Sequence, residues 1–511
     1  MEAATESQLP FWRRIARMTP AALALALPLP AGLALRLWML RNLFEVDGDA
    51  LIYGGLAKNL LLHGRYGLSA SNGQILPTLI RLPGYPLFLA LCFRLFGMEN
   101  YFAASCVQVV LDLLGCLLLA DFARRIAPPA QKSGAALATL WLAALCPFTA
   151  SYAPSPLAEA PTVFVLALAL WSMACFRDHP GWINALWFTF AVTSAALLRP
   201  DGALAAVAFA PALVIGLGPA RAPHAPFSSR PMRKGRESKV YRAAQRAPGT
   251  PAVRLVPMAT VCILLALLPF AAWTWRNWKT FHVFEPLAPR LATDPGESPN
   301  PGWERWVKTW CLDFVSTYDI YWNVPGDVLD VSKLPRRAFD TPAQYAATAA
   351  LARDYNTHGE DLTPQIDARF GRLAEQRIAA HPLRYYLWLP LGRVADMWLR
   401  PRVENLPIDL DWWVYAHHHA ETEFSWSCAA LNALYLLLAL AGLCLRPRFW
   451  RALAAYMVLR TLLLLTVEAP EARYTLECFP MMFALGGVAL YRLIYVVFLS
   501  VAKVKASLGR D

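Results

Sequence analysis

The sequence predicts an all-α polytopic membrane protein: a bundle of about ten or more transmembrane helices, interfacial helices in the first external loop, and an external cap. Three observations carry this. Of 511 residues, 57% are hydrophobic and only 16% charged, against about 25% charged in soluble domains, which excludes a single soluble globule. A bilayer core demands roughly 20 mostly apolar residues per helix, and about ten stretches approach this: 20–43, 101–122, 134–151, 154–176, 182–198, 202–218, 255–275, 426–445, 449–467 and 475–500. Two long intervals between them, 44–100 and 276–425, are more polar, the second rich in Pro, Trp, Tyr, Asp and His.

In chain order, Arg13, Arg14 and Arg17 precede an apolar run that reaches Phe44 without a small-residue cleavage site, so the run is a retained first span rather than a signal peptide. Segment 1–19 is then a cytoplasmic N-terminus, and 20–275 is the transmembrane core containing the first external loop, 44–100. Within that loop 84–97 is too short to span and lies at the interface, as does the charge-interrupted stretch 383–400. Arg124, Arg125 and Lys132 follow the second span, and Arg446, Arg448 and Arg451 follow the eighth, which puts all of them on the cytoplasmic side. The loop 219–254 holds nine basic residues from Arg221 to Arg254 and one acid, Glu237, and suits a cytoplasmic, lipid-contacting segment. It accounts for much of the net charge of +12 without invoking nucleic acid. The external cap is 276–425, with helical periodicity at about 341–380 and 383–400. Helices 426–500 and a cytoplasmic tail, 501–511, complete the chain. Nine of the ten cysteines lie in or beside apolar segments and read as small core hydrophobes, not a disulfide framework.

No phosphate loop, no GxGxxG after a strand and no paired CxxC motif occurs, so ATP-driven transport, dinucleotide chemistry and structural zinc lose their strongest support. The informative stretch is 45–97. Glu45, Asp47 and Asp49 sit just past the first span. A carboxylate at the water–membrane boundary with an elevated pKa can accept a proton from a hydroxyl or amine, making a candidate general base; the competing reading of Asp49 is a helix N-cap. Arg81 opens Arg81-Leu82-Pro83-Gly84-Tyr85-Pro86-Leu87-Phe88, where a guanidinium near headgroups suits a lipid-linked phosphate or simple snorkelling.

The order Asp49, Tyr53, Lys58-Asn59, His63-Gly64-Arg65-Tyr66-Gly67, then Arg81 to Phe88 resembles the bacterial GT-C glycosyltransferases, in particular the protein O-mannosyltransferase and lipid A aminoarabinose transferase group. Matching punctuation continues with Ser155 to Glu159, Leu198-Arg199-Pro200-Asp201-Gly202, Trp275-Arg276-Asn277, Phe284 to Leu287, His381 to Tyr386 and Glu471 to Tyr474. The resemblance implies an enzyme of the inner or plasma membrane that takes a sugar from a polyprenyl-phosphate carrier. It would transfer the sugar with inversion to a lipid, protein or glycan acceptor at the external face, with no obligatory cofactor and no nucleic-acid partner. Asp49 matches the catalytic aspartate; because Ala50 replaces a frequent second acid, Asp47 or Glu45 shares the candidacy. Arg81, Arg276 and Arg473 are candidate phosphate contacts, and Tyr53, Lys58, Tyr85 and Glu159 candidate substrate contacts. Arg473 has Glu468 or Glu471 as an alternative partner, and Arg199 with Asp201 reads as a mutual pair. His417, His418 and His419 with Glu421 and Glu423 read as a solvated loop, since adjacent histidines diverge and no distant further ligand can be named. Trp303, Trp306, Trp310, Trp412 and Trp413 read as an interfacial belt or sugar platforms. The rival classes are a lipid or small-molecule transporter, for which related halves are missing, and a related glycan polymerase or ligase.

Overall fold

The structure, a computed structural model, describes residues 27–214, 251–289, 292–297 and 299–508. The N-terminal segment 1–19 and the basic loop, apart from the backbone of 251–254, lie outside the described residues.

Helix α1 (Pro28–Leu43) starts on prolines in its first turn, where missing N–H groups cost nothing. After an extended linker, α2 (Gly48–His63) ends at Gly64, whose φ of 64° supplies the left-handed C-terminal cap. Two short antiparallel strands follow, β1 (Gly67–Ser69) and β2 (Ile75–Pro77), with Gly67 opposite Pro77. Then come α3 (Gly84–Phe96), α4 (Tyr101–Ile126), α5 (Lys132–Ala144), α6 (Glu159–Asp178), α7 (Trp182–Leu198), α8 (Leu204–Val214) and α9 (Pro251–Phe281). The cap contributes α10 (Pro301–Lys308), α11 (Pro342–Thr357), α12 (Pro364–Ala380) and α13 (Leu389–Leu399), and the chain closes with α14 (His419–Cys444), α15 (Trp450–Leu464) and α16 (Phe479–Leu508).

All ten predicted spans correspond to helices, and the protein is an integral membrane protein of the predicted class. Five helical stretches, at α4, α6, α9, α14 and Ala472–Val497, are long and apolar enough to cross a membrane. Boundaries differ where proline intervenes. The third span stops at Ala144 before Pro147, and the fourth starts at Glu159 because Pro154 and Pro156 cannot donate to a helix. A 3₁₀ segment, Ala472–Cys478, precedes α16.

The bundle core joins α4, α5, α6, α14 and α16 through small residues. A Cβ on Gly442 would stand 2.1 Å from the Leu485 carbonyl oxygen, so glycine lets the α14 and α16 backbones touch. Inside this apolar packing Arg36 of α1 is fully buried, donating to Asp112 of α4 at 2.5 Å and to the Ala144 carbonyl at 2.7 Å. At the bundle end remote from the cap, Arg125 meets Asp178 at 2.7 Å and Arg448 pairs with the same carboxylate, bringing together basic loops predicted to share a side. All ten cysteines are free.

Trp303, Trp306 and Trp310 form no interfacial belt. They are at most 1% exposed and pack with Phe370 in the cap core, because their three- and four-residue spacing puts them on one face, against α12. Asp367 of α12 accepts the α10 backbone N–H groups of Gly302 and Trp303 at 3.0 and 2.8 Å, satisfying donors that a helix start leaves orphaned. The cap is fixed to the bundle by Thr317, which donates to the Pro470 carbonyl at 3.0 Å, and by Lys308 with Glu468 at 3.2 Å.

Candidate active site

Asp49 lies in the first turn of α2, with Asp47 at the N-cap position. The capping alternative for Asp49 therefore gives way to a different contact: Arg81 Nη2 donates to Asp49 Oδ1 at 2.7 Å. Gly84 makes that approach possible. A Cβ there would stand 2.4 Å from the Leu197 carbonyl oxygen, so only glycine lets the Arg81 turn seat on the end of α7. Tyr53, one helical turn beyond Asp49, shares its face, and its ring meets Tyr85 edge-on at 4.9 Å.

From Asp49 a chain of alternating charges runs inward. Arg473 stands 3.6 Å from Asp49 and 3.6 Å from Glu159, and pairs closely with Glu471. Arg199 bridges Glu159 at 3.1 Å, Glu477 at 3.0 Å and Asp201 at 3.6 Å. Arg460, fully buried in α15, pairs with Asp201 and, at 3.2 Å, with Glu477, which also accepts from Tyr456 at 3.0 Å. Removing one member of such a buried set strands its partners, at a cost of about 3–5 kcal/mol. Arg81 ends the chain. Among the described residues its one acidic partner is Asp49, leaving guanidinium donors to spare.

The electrostatics correct one expectation. Burial would raise the Asp49 carboxyl, but Arg81, then Arg473 and Arg199, hold it below the ordinary carboxylate range rather than above it. Tyr53 moves the other way: burial first, then the Asp49 charge, pushes its hydroxyl up to about 12, so it keeps its proton and can donate.

Several predicted residues fall elsewhere. Asp47 and Glu45 are exposed, and neither makes an ion pair among the described residues. Lys58 is nine residues beyond Asp49, about half a turn round the helix, and pairs with Glu99 at 3.0 Å away from the cluster. Tyr85 is buried and donates to Gln108 at 2.7 Å as part of the wall. Arg276 sits behind the Arg81 loop, donating to the Thr78 and Tyr66 carbonyls at 2.8 and 2.6 Å, while Tyr66 in turn donates to the Arg81 carbonyl at 3.0 Å. Arg473 chooses Glu471 over Glu468. The mutual pairing of Arg199 and Asp201 is present but, among the described residues, is the longest ion pair Arg199 makes. Arg460, Glu477 and Tyr456 were not anticipated; the arginine at the middle of the apolar run 449–467, Arg460, was the available signal.

Residues 81–224, which carry Arg81, Glu159, Arg199 and Asp201, match the family described as dolichyl-phosphate-mannose-protein mannosyltransferase. The predicted resemblance to GT-C glycosyltransferases is borne out. Among solved structures, an Archaeoglobus fulgidus oligosaccharyltransferase tethered to an acceptor peptide containing the NVT sequon is similar at 12% identity and a TM-score of 0.46, over 94% of this chain and 50% of that one. The oligosaccharyltransferase AglB from Archaeoglobus fulgidus, in complex with an inhibitory peptide and a dolichol-phosphate, gives 12% and 0.45 over 97% and 52%. This chain thus spans about half the length of those proteins. ArnT from Cupriavidus metallidurans bound to undecaprenyl phosphate gives 16% and 0.37 over 92% and 78%. No curated protein matches.

The cap closes over the cluster: Trp322 faces Arg473, with 6.0 Å from guanidinium to ring centre. Beside it a cavity of about 620 Å³ is lined by Asp313, Asp319, Asp396, Arg400, Trp412 and Trp413, among others. Trp412 and Trp413 thus stand on a cavity wall. Of the three histidines, His419 stacks on Tyr415 at 4.3 Å, while His418 turns towards Asp409, Asp411 and Glu421.

Proposed function

We propose that the protein transfers one sugar from a polyprenyl-phosphate donor to a lipid, protein or glycan acceptor at the external, periplasmic face of a bacterial inner membrane, with inversion. The observation that carries the reading is a carboxylate, Asp49, held between two arginines, Arg81 and Arg473, beneath the cap. The family match over 81–224 supports it. A phosphate-linked sugar already has a stabilised leaving group, so the chemistry needs cations where phosphate charge develops and a base for the acceptor. The acceptor oxygen attacks the anomeric carbon from the face opposite the phosphate. Asp49 receives its proton, the bond between anomeric carbon and phosphate oxygen breaks, and the phosphate leaves with the electron pair towards Arg81 and Arg473.

The low carboxyl pKa fits this order of events. Arriving donor phosphate gives both arginines a further anion, weakens their hold on Asp49 and restores its basicity. Glu159 anchors Arg473 and Arg199, Tyr53 donates to substrate oxygen, and Arg276 holds the Arg81 loop in place. The sequence-derived division into a core at 20–275, a cap at 276–425 and C-terminal helices at 426–500 is part of the same proposal.

The test is donor consumption by purified protein in lipid nanodiscs, using a panel of radiolabelled polyprenyl-phosphate sugars with membrane extract as acceptor. Asp49→Asn is expected to lose at least about 100-fold in rate, the usual scale for general-base removal, while exposed Asp47→Asn stays within a few-fold. Failure of the wild type to consume any donor, or full activity in Asp49→Asn, would overturn the proposal.

A further inference from the structure

The sequence reads the histidine run at the start of α14 as a solvated loop, since adjacent histidines diverge and no distant further ligand can be named. The fold supplies one. Asp409, nine residues upstream of His418, returns to it, and one ligand atom from each of Asp409, His418 and Glu421 lies within 4.8 Å of the others.

The spacing is informative. His418 Nδ1 stands 3.5 Å from Asp409 Oδ2 and 3.9 Å from Glu421 Oε1, longer than charged hydrogen bonds of about 2.7–2.9 Å. Ligands about 2.0–2.2 Å from a tetrahedral zinc ion stand roughly 3.3–3.6 Å apart; the Asp409 separation falls in that range and the Glu421 separation slightly beyond it. The other imidazole nitrogen, Nε2, lies 3.1 Å from Asp411 Oδ1. The Nδ1 edge of the ring faces two carboxylates at once, an arrangement that suits a cation among them. An outer carboxylate that orients a metal-bound imidazole is the usual supporting partner of such sites. The set also holds its own shape: the Asp409 backbone N–H donates to Glu421 Oε2 at 2.9 Å, leaving Oε1 for the shared centre.

We propose that Asp409, His418 and Glu421 bind a divalent transition-metal ion, with Asp411 orienting His418. One imidazole with two carboxylates favours an ion of the zinc type over magnesium, which prefers oxygen and water ligands. The ion would fasten the loop before α14 to its first turn. That loop carries Trp412 and Trp413 on the cavity wall, and Thr422 of α14 already donates to the Trp412 carbonyl. The site is separate from the Asp49 cluster, so the inference stands or falls apart from glycosyl transfer.

Full-length untagged protein in detergent is stripped with chelator, titrated with zinc chloride, desalted and analysed by plasma mass spectrometry. The wild type and His417→Ala are expected to retain one zinc more per chain than His418→Ala. Asp409→Asn, and Glu421→Gln as the near-isosteric variant that preserves the fold, are expected to bind at least tenfold more weakly; Asp411→Asn is expected to lose about tenfold or more. Equal zinc in wild type and His418→Ala, no retained zinc in the wild type, or magnesium bound as tightly as zinc would overturn the proposal.

Discussion

Replacing Arg81 with glutamine tests the link between the ion pair and the basicity of Asp49. The closest contact is 2.7 Å, which puts the two charge centres about 4 Å apart, worth about 4 kcal/mol at an effective dielectric of about 20. Each side chain is a quarter exposed, 25% and 27%, so solvent screening leaves only part of that figure, enough for the pair to hold the carboxyl low. The sign follows from the direction of the native shift. Asp49 is held low, so in the wild type it stays ionised until the pH falls below the ordinary value near 3.9. In Arg81→Gln it takes up its proton at higher pH, and the acid limb of activity moves up with it. The assay is kcat/KM for donor consumption from about pH 2 to 8 at sub-saturating donor, normalised to each variant's plateau so that a weakened phosphate contact does not enter. Arg81→Lys, which keeps the charge, should hold the wild-type midpoint. A midpoint unmoved in Arg81→Gln would falsify the account of Asp49 as a base restrained by its neighbour.

Arg199→Met leaves Glu159 and Glu477 buried without their shared cation, and should cost about 3–5 kcal/mol in denaturant unfolding in detergent; a loss below about 1 kcal/mol would contradict a desiccated network. Lys58→Ala removes a pair that is 41% and 45% exposed, so stability should change by no more than about 1 kcal/mol and donor turnover should stay within twofold. Gly84→Ala forces a methyl group against the Leu197 carbonyl and should destabilise by about 1–3 kcal/mol while lowering donor turnover; unchanged turnover would mean that the Arg81 turn need not seat on α7. Trp306→Ala empties the middle of the cap core and should cost about 3–5 kcal/mol, seen as faster limited proteolysis between α10 and α12.

The spans were legible because hydropathy is a local property, and their proline-defined ends could be read only loosely. The cluster was half legible. Asp49, Arg81, Glu159 and Arg473 stand in motifs, but Arg460 reaches Asp201 across 259 residues, a proximity that packing alone creates. Lys58 was misjudged by closeness in the chain; the helical angle from Asp49 already pointed it away. The Trp303, Trp306 and Trp310 spacing announced an apolar helix face, yet the partner that buries it, α12, begins more than 50 residues later. The depressed Asp49 carboxyl was invisible because two of the arginines responsible, Arg199 and Arg473, belong to distant segments. Asp409 could not be named as a partner of His418 and Glu421 from the sequence, because the loop that returns it to them has no periodic signature.

The buried Arg36 also constrains how the protein is made. An arginine near the middle of a membrane helix disfavours insertion by about 2.5–3.5 kcal/mol, and its neutralising partner, Asp112, is synthesised 76 residues later. The first helix therefore enters the bilayer with its charge unmet and stays marginally held until the second span arrives to release it from the insertion machinery. Asp112→Asn should show itself first in the nascent chain, as prolonged retention or inverted orientation of α1, before any defect in the finished protein.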